Sequence, residues 1–182
     1  MNKNIEKEYK ILVSKEQFQT LLNEYPKAVF KEQINTYYDS VDFMIREAHG
    51  AMRIRYIDNA YIFTLKMHSS KGLLEFEKEV EQNDSSIFQA SEIKSLLDSY
   101  HLTGPFQQIT ELKTQRAMIE TEFAELCFDI SEYNGHKDYE IEYEYKKEHD
   151  GFTVFNHLLR KIHLTYTKNC DSKIKRAMDT IK

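Results

Sequence analysis

The chain alternates between segments whose apolar residues recur at helical spacing and segments in which apolar and polar residues alternate. The helical spacing places residues three and four positions apart on one face. A capping-box pattern at Ser14 and Gln17 begins the first such segment, and Pro26 ends it. We predict helices over 14–25, 84–100 and 152–162, and a short C-terminal helix beginning near Ser172. Their apolar stripes are interpreted as core contacts.

The remaining segments alternate with the period of two that is typical of β-strands. We predict strands over 5–10, 33–39, 51–57, 61–67, 73–81, 109–120, 125–131 and 138–145. Eight strands are a number that suits a closed barrel.

The polar row of each predicted strand carries charges that are mostly of one sign. Residues 73–81 and 138–145 are acidic on that row, and Arg53 and Arg55 make the row of 51–57 basic. A sheet that faces water usually mixes its charges, so this segregation indicates a site. If the apolar rows face outward onto the helices, the charged rows line an interior. The predicted fold is therefore α+β, an eight-stranded antiparallel β-barrel (a tunnel) with helices packed outside.

An interior that holds carboxylates and cations together is costly when it is empty. It becomes favourable when it binds a metal cation and a polyanion. Carboxylate oxygens suit a hard divalent ion such as Mg²⁺ or Mn²⁺, and Arg and Lys suit phosphate oxygens. The alternative is that these rows are ordinary strand faces exposed to solvent.

Composition narrows the class of protein. With 182 residues, 41% of them hydrophobic, the chain fits a single domain over 1–182. The sequence lacks both an apolar run of about 18 residues and a signal-peptide pattern, and its two cysteines, Cys127 and Cys170, are scattered. We therefore expect a cytoplasmic protein with no membrane partner. A net charge of -5 argues against a nucleic-acid partner.

The charged motifs, taken in order, resemble those of the CYTH superfamily, the triphosphate tunnel metalloenzymes. The stretch IEKEYK contains Glu-x-Glu-x-Lys at Glu6, Glu8 and Lys10. The other matching motifs are YYDS at 37–40, Arg-x-Arg at 53–55, TLK at 64–66, DYEIEYE at 138–144 and SKIKRA at 172–177. Each motif is weak alone, but the ordered set covers nearly the whole chain.

The resemblance implies a tunnel that binds a triphosphate with Mg²⁺ or Mn²⁺ and usually hydrolyses it. The metal ligands it implies are Glu6, Glu8, Asp129, Glu140 and Glu142. The phosphate-binding residues it implies are Lys10, Arg53, Arg55, Lys66, Arg116 and Lys173, and the catalytic residues are Glu6, Glu8, Lys10 and Arg116. Glu75 and Glu77 match a strand that faces the tunnel, and the sequence leaves open which of Glu75, Glu77 and Glu79 take part. The sixth strand departs from the family pattern, because it has Thr114 and Arg116 where two basic residues are usual.

Several functions are compatible with this reading. Hydrolysis of inorganic tripolyphosphate is favoured, with thiamine triphosphate or a nucleoside triphosphate next. The first alternative is an adenylate cyclase that makes cyclic AMP from ATP, and the second is a non-catalytic module that binds polyphosphate or a nucleotide. A small-molecule triphosphate is the expected partner, and the protein is expected to be a monomer or a homodimer.

Overall fold

The structure is a computed structural model that describes residues 1–70 and 72–181. Within these residues the strands are β1 Asn2–Glu6, β2 Glu8–Val13, β3 Phe30–Ser40, β4 Ala51–Ile57, β5 Ala60–Ser69, β6 Gly72–Val80, β7 Phe106–Glu120, β8 Ala124–Tyr133 and β9 His136–Tyr145. The α-helices are α1 Lys15–Leu22, α2 Met44–Glu47, α3 Ser91–Ser99, α4 Gly151–Arg160 and α5 Lys173–Asp179, and a 3-10 helix covers Ser85–Gln89. The strands form one sheet, and every pair whose register is described is antiparallel.

Over the part of the chain that the structure describes, the sheet has nine strands where the sequence predicts eight. The difference lies in the first predicted strand, which divides at Lys7 into β1 and β2. The pairing partner changes at this point, because β1 pairs with β6 and β2 pairs with β9. Glu6 and Glu8 therefore lie on different strands.

The chain forms two compact units. The first consists of Met1–Glu6 and Gln33–Leu112. Its strands follow the order β1-β6-β5-β4-β3-β7. Its core combines apolar side chains of the strands with those of the intervening helices, such as Met52 and Phe63 with Ile93 and Leu97. Burial of these side chains is the main stabilising term.

The second unit consists of Lys7–Glu32 and Lys113–Lys182, of which residue 182 lies outside the described part. This unit contains the first residues of β3 and the last residues of β7. Next to β7 in the sheet come β8, β9 and β2, in that order. Its core joins Phe18 and Leu21 of α1 and Phe155 and Leu159 of α4 to Phe128 and other apolar residues of the strands. The apolar rows thus pack against helices, which leaves the opposite rows for charged side chains.

The helices largely follow the sequence prediction. The capping box at Ser14 is present, and α4 and the C-terminal helix lie where they are expected. The segment 84–100 is different, because extended backbone at Ala90 separates the 3-10 helix from α3. The short helix α2 is not predicted by periodicity. It is held by the buried carboxylate of Asp39, which accepts hydrogen bonds from the backbone N–H groups of Ile45 and Arg46.

Among the residues described, no helix is both long enough and apolar enough to cross a bilayer. The thiols of Cys127 and Cys170 are both free.

We expect Ser14→Ala to lower the free energy of unfolding by about 1 kcal/mol, because it removes the side-chain oxygen that caps α1. That oxygen accepts a hydrogen bond of 3.2 Å from the N–H of Gln17, whose side chain in turn accepts one of 2.9 Å from the N–H of Ser14. Urea unfolding measures the change. Ser95→Ala, at an exposed position within α3, serves as the control and should not destabilise the protein. Equal effects of the two substitutions would contradict a capping role.

Candidate functional site

In the second unit, strand pairing brings the predicted acidic residues together. Asp129 of β8 lies opposite Glu140 of β9, and Arg116 of β7 lies opposite Asp129. Glu142 is two residues further along β9 and therefore on the same face as Glu140. Side chains that are directly opposite in adjacent strands share a face of the sheet. The alternation seen in the sequence thus becomes a cluster of charges.

The three carboxylates Asp129, Glu140 and Glu142 are named here the carboxylate cluster. One oxygen from each lies within 4.8 Å of the others. All three residues are buried, and Asp129 and Glu140 are 0% exposed. The ammonium of Lys173, on α5, contacts every member of the cluster, at 2.8 Å from Asp129 and 2.5 Å from Glu142. One cation thus compensates parts of three buried negative charges.

Arg116 supplies a second cation to the carboxylate cluster. Its Nε lies 2.7 Å from Oδ1 of Asp129 and its Nη2 lies 2.5 Å from Oδ2. The same Nη2 also donates to Glu142. The contact with Asp129 is bidentate and depends on the planar guanidinium group, which a lysine in this position does not have.

Burial and neighbouring charges set the proton affinities of two members of the carboxylate cluster. Burial, opposed by Lys173, raises the pKa of Glu140 to about 7. Burial acts in the same direction on Glu142, but the charges of Arg116 and Lys173 outweigh it and hold the pKa of Glu142 well below its usual value. The two adjacent carboxyls therefore differ widely in how readily they take up a proton.

Glu8 and Lys10 form a further ion pair in the second unit. The ammonium of Lys10 lies 2.5 Å from Oε1 of Glu8, and Lys10 stands opposite Glu142 in the pairing of β2 with β9. Burial acts to lower the pKa of Lys10, but the charges of Glu8 and Glu142 outweigh it and raise that pKa. Lys10 therefore stays charged at neutral pH.

The carboxylate cluster has the chemistry that a hard divalent cation requires. Carboxylate oxygens are the ligands that Mg²⁺ and Mn²⁺ prefer. Three of them converge within 4.8 Å in a buried setting, where uncompensated negative charge is costly. The residues present therefore fit a divalent metal ion.

In the first unit, a second group of charges lies on β4, β5 and β6. We call Arg53, Arg55 and Lys66 the basic row. The ammonium of Lys66 lies 2.6 Å from Glu6 and 3.2 Å from Glu75. The Nε of Arg55 donates to Asn35 at 3.1 Å. Of these predicted phosphate-binding residues, Lys66 thus lies beside two carboxylates, whereas Arg55 contacts a neutral amide.

Arg53 differs from its neighbours in one respect. Its side chain is 13% exposed, and its Nη2 lies 3.9 Å from Glu75, a distance typical of a loose ion pair. Its guanidinium hydrogen-bonds the side chain of Tyr37. Among the described residues, however, its buried Nε has no hydrogen-bond partner. A buried donor without an acceptor costs free energy.

The structure separates the three glutamates of β6 that the sequence leaves open. Glu75 contacts Lys66, and Glu77 accepts a hydrogen bond of 3.3 Å from Thr64. Glu79 is exposed. Glu75 and Glu77 therefore contact polar side chains of β5, and Glu79 lies at the surface.

At Thr114, where the family pattern usually has a basic residue, the chain has a buried neutral contact. The hydroxyls of Thr114 and Ser131 lie 3.2 Å apart. Arg116 is therefore the basic residue that β7 directs to the carboxylate cluster.

Arg176 is a charged residue of this region that is absent from the predicted site. Its side chain is 10% exposed and lies 2.8 Å from Asp138 and 2.6 Å from Glu140. The sequence could have indicated Arg176 as a site residue, because it is the last basic residue of the SKIKRA motif.

Most of the chain is similar to known proteins in sequence and in fold. The family model of the CYTH domain matches residues 4–177. A Bacillus subtilis protein, YjbK, provisionally named a triphosphatase, is 33% identical over 177 residues, which are 93% of each chain. A crystal structure from Bacillus halodurans, of a protein provisionally named an adenylate cyclase, has 32% identity and a TM-score of 0.85 and covers 97% of this chain and 98% of its own.

A more distant structure, HpAC1 from Hippeastrum, is 21% identical, with a TM-score of 0.75 and 96% of each chain covered. That protein is provisionally named an adenylyl cyclase and is described as revealing a dominant triphosphatase activity. At this identity the likeness shows the fold.

The fold and the charged site define a class of α+β proteins with an antiparallel sheet, helices against its apolar face and charged rows on the other. The chain belongs to the CYTH domain family. The predicted family and fold class are confirmed, with nine strands among the described residues in place of eight.

We expect Arg116→Met to lower the free energy of unfolding by about 3 to 5 kcal/mol, because it removes one of the cations that compensate the buried carboxylates of Asp129 and Glu142. Lys137→Met is the matched control, since it breaks an ion pair with Glu132 between β8 and β9 whose side chains are 51% and 50% exposed. That control should cost less than about 1 kcal/mol. Denaturant unfolding of both variants in metal-free buffer tests this, and similar losses would show that burial of the cluster is unimportant.

Proposed function

We propose that the protein is a metal-dependent triphosphatase that hydrolyses a small-molecule triphosphate, with inorganic tripolyphosphate the favoured substrate. Thiamine triphosphate and nucleoside triphosphates come next. The observation that carries the proposal is the carboxylate cluster, in which three buried carboxylates converge with Lys173 and Arg116. Family membership and the name of the Bacillus subtilis relative support the same reaction.

The carboxylates are assigned to the metal, Mg²⁺ or Mn²⁺. In the second unit these residues are Glu8, Asp129, Glu140 and Glu142, and in the first unit the residue is Glu6. Such an ion, when bound, supplies Lewis-acid stabilisation of charge on phosphate oxygens. With such an ion held by these carboxylates, the cations that now neutralise them, Lys10, Arg116 and Lys173, would be available to bind phosphate.

The basic residues are assigned to the phosphates. Phosphoryl transfer depends mainly on positioning and on neutralising the charge of the moving group. Arg53, Arg55 and Lys66 provide charge-assisted donors in the first unit, and the unpartnered Nε of Arg53 gives a buried donor for a phosphate oxygen. In the second unit Lys10, Arg116 and Lys173 have the same role.

A cyclase is the second candidate, because the Bacillus halodurans relative is provisionally named an adenylate cyclase. It differs from the hydrolase in its nucleophile, which is the ribose hydroxyl of ATP in place of water. The third is a module that binds polyphosphate or a nucleotide without turnover. Retention of the whole acidic set favours catalysis over simple binding.

We also propose that the chain acts as a single domain, since one family model spans residues 4–177 across both compact units. The free thiols of Cys127 and Cys170 are consistent with the proposed cytoplasmic location.

We expect Glu6→Gln, Glu8→Gln and Asp129→Asn each to lower kcat by about 100-fold or more, because each removes a charge assigned to the metal while keeping the size of the side chain. Glu132→Gln, on the same strand as Asp129 but with a side chain that is 50% exposed, is the matched control and should retain activity. The assay supplies Mg²⁺ or Mn²⁺ with tripolyphosphate, thiamine triphosphate or ATP. It records phosphate, pyrophosphate and cyclic AMP separately.

Release of phosphate that depends on both the metal and the carboxylates supports the hydrolase. Cyclic AMP with pyrophosphate would support the cyclase instead. Full activity of the three substituted proteins would show that the acidic rows are ordinary strand faces.

We expect Arg53→Ala to lower kcat/KM by about 10-fold to 100-fold, with a higher KM and a lower kcat, since the lost donors act in both the ground state and the transition state. Arg46→Ala is the control, because Arg46 lies in the same unit with a side chain that is 56% exposed. Steady-state kinetics measure both variants. Unchanged kinetics in a folded Arg53→Ala protein would remove Arg53 from the site.

A further inference from the structure

Arg176 has almost all of its hydrogen-bonding capacity engaged within the protein. Its Nε donates to Oδ2 of Asp138 at 2.8 Å, and its Nη1 pairs with Oε2 of Glu140 at 2.6 Å. The same Nη1 donates to the backbone carbonyl of Asp171, and Nη2 lies 3.4 Å from Oδ1 of Asp138. Such a guanidinium is suited to joining parts of the chain rather than to binding a substrate.

Helix α5, which carries Arg176, is short and is only partly buried. It contains seven residues, and Ala177 is its fully buried side chain. A helix of this length is not stable alone, and its larger apolar side chains, Ile174 and Met178, are only partly buried. Its C-terminal end is held by Asn134, which donates to the carbonyl of Ala177 at 3.0 Å. At its N-terminal half, the ion pairs of Lys173 and Arg176 contribute to holding it in position.

Lys173 and Arg176 meet at one carboxylate. They are three residues apart on α5, so their side chains lie on the same face of the helix. Lys173 contacts Oε1 of Glu140, and Arg176 contacts Oε2 of the same group. Arg176 also contacts Asp138, two residues earlier on β9, which further fixes the helix against that strand. The location of the Lys173 ammonium thus depends on how Arg176 holds α5.

We propose that Arg176 is a positioning residue, which anchors α5 to Asp138 and Glu140 and thereby holds the Lys173 ammonium at the carboxylate cluster. The catalytic part of this inference rests on the proposed triphosphatase function. A lysine side chain has many rotamers, whereas the planar fork of arginine is preorganised for carboxylates. Arg176 therefore supplies the rigidity that Lys173 lacks.

A double-substitution cycle tests whether Arg176 acts through Lys173. Arg176→Met should lower kcat/KM for tripolyphosphate by about 10-fold to 100-fold, as loss of an outer-shell partner generally does. In a Lys173→Ala background the same substitution should change kcat/KM by less than about 2-fold, because the group that it positions is already absent. Arg176→Lys keeps the charge without the fork and should recover part of the activity.

Two measurements made without substrate test the anchoring itself. Hydrogen exchange at the amides of α5 should accelerate in Arg176→Met, and the NMR signal of the Lys173 ammonium, protected by its ion pairs in the wild type, should be lost through faster exchange with water. If Arg176→Met does not fold, Asp138→Asn removes part of the same anchor while retaining the arginine. It should produce the same changes to a smaller degree.

Lys175→Met is the control, because Lys175 lies on the same helix with a side chain that is 54% exposed and pairs only with exposed carboxylates of Asp171 and Asp179 among its described ion pairs. It should leave kcat/KM and the exchange of the α5 amides unchanged. Equal losses from Arg176→Met in both backgrounds, or unchanged exchange at α5, would overturn the proposal. If the wild type hydrolyses no triphosphate, the proposed function fails, and the exchange and NMR measurements still decide whether Arg176 anchors α5.

Discussion

The structure of the second unit depends on the compensation of buried negative charge. Asp129 and Glu140 are fully shielded from solvent, and removal of a carboxylate from water costs several kcal/mol unless cations and hydrogen bonds replace its hydration. Arg116 and Lys173 provide that replacement from β7 and α5. The positions of these elements are therefore coupled to the carboxylates.

The same compensation explains how a site can remain folded before it binds anything. In the first unit, Lys66 neutralises Glu6 and Glu75, as Lys173 and Arg116 neutralise the carboxylate cluster in the second. Residues assigned to metal and residues assigned to phosphate are thus each other's partners. Under the proposed function, these carboxylates would hold the metal ion and these cations would hold the phosphates. Arg53 keeps a buried Nε for which no described residue is an acceptor.

Much of this site could be predicted because a strand has a period of two. The alternation in 51–57 and 138–145 indicates which residues share a face, and the separation of charges by sign indicates that the face is specialised. The capping box at Ser14 is similarly local, since its donor and acceptor lie three residues apart. The division of the first strand at Lys7 could not be predicted this way, because it reflects a change of partner from β6 to β9, which are distant in sequence.

The sequence by itself determined the apolar and charged rows, the main helices and the ordered motifs of the family, because these depend on local periodicity and residue type. The tertiary structure decided which charges meet. Glu75 and Glu77 contact side chains of β5, while Glu79 is exposed. Arg176 on α5 reaches Glu140 on β9. Such contacts are set by strand register and helix docking, which bring together residues far apart in the chain and which periodicity does not encode.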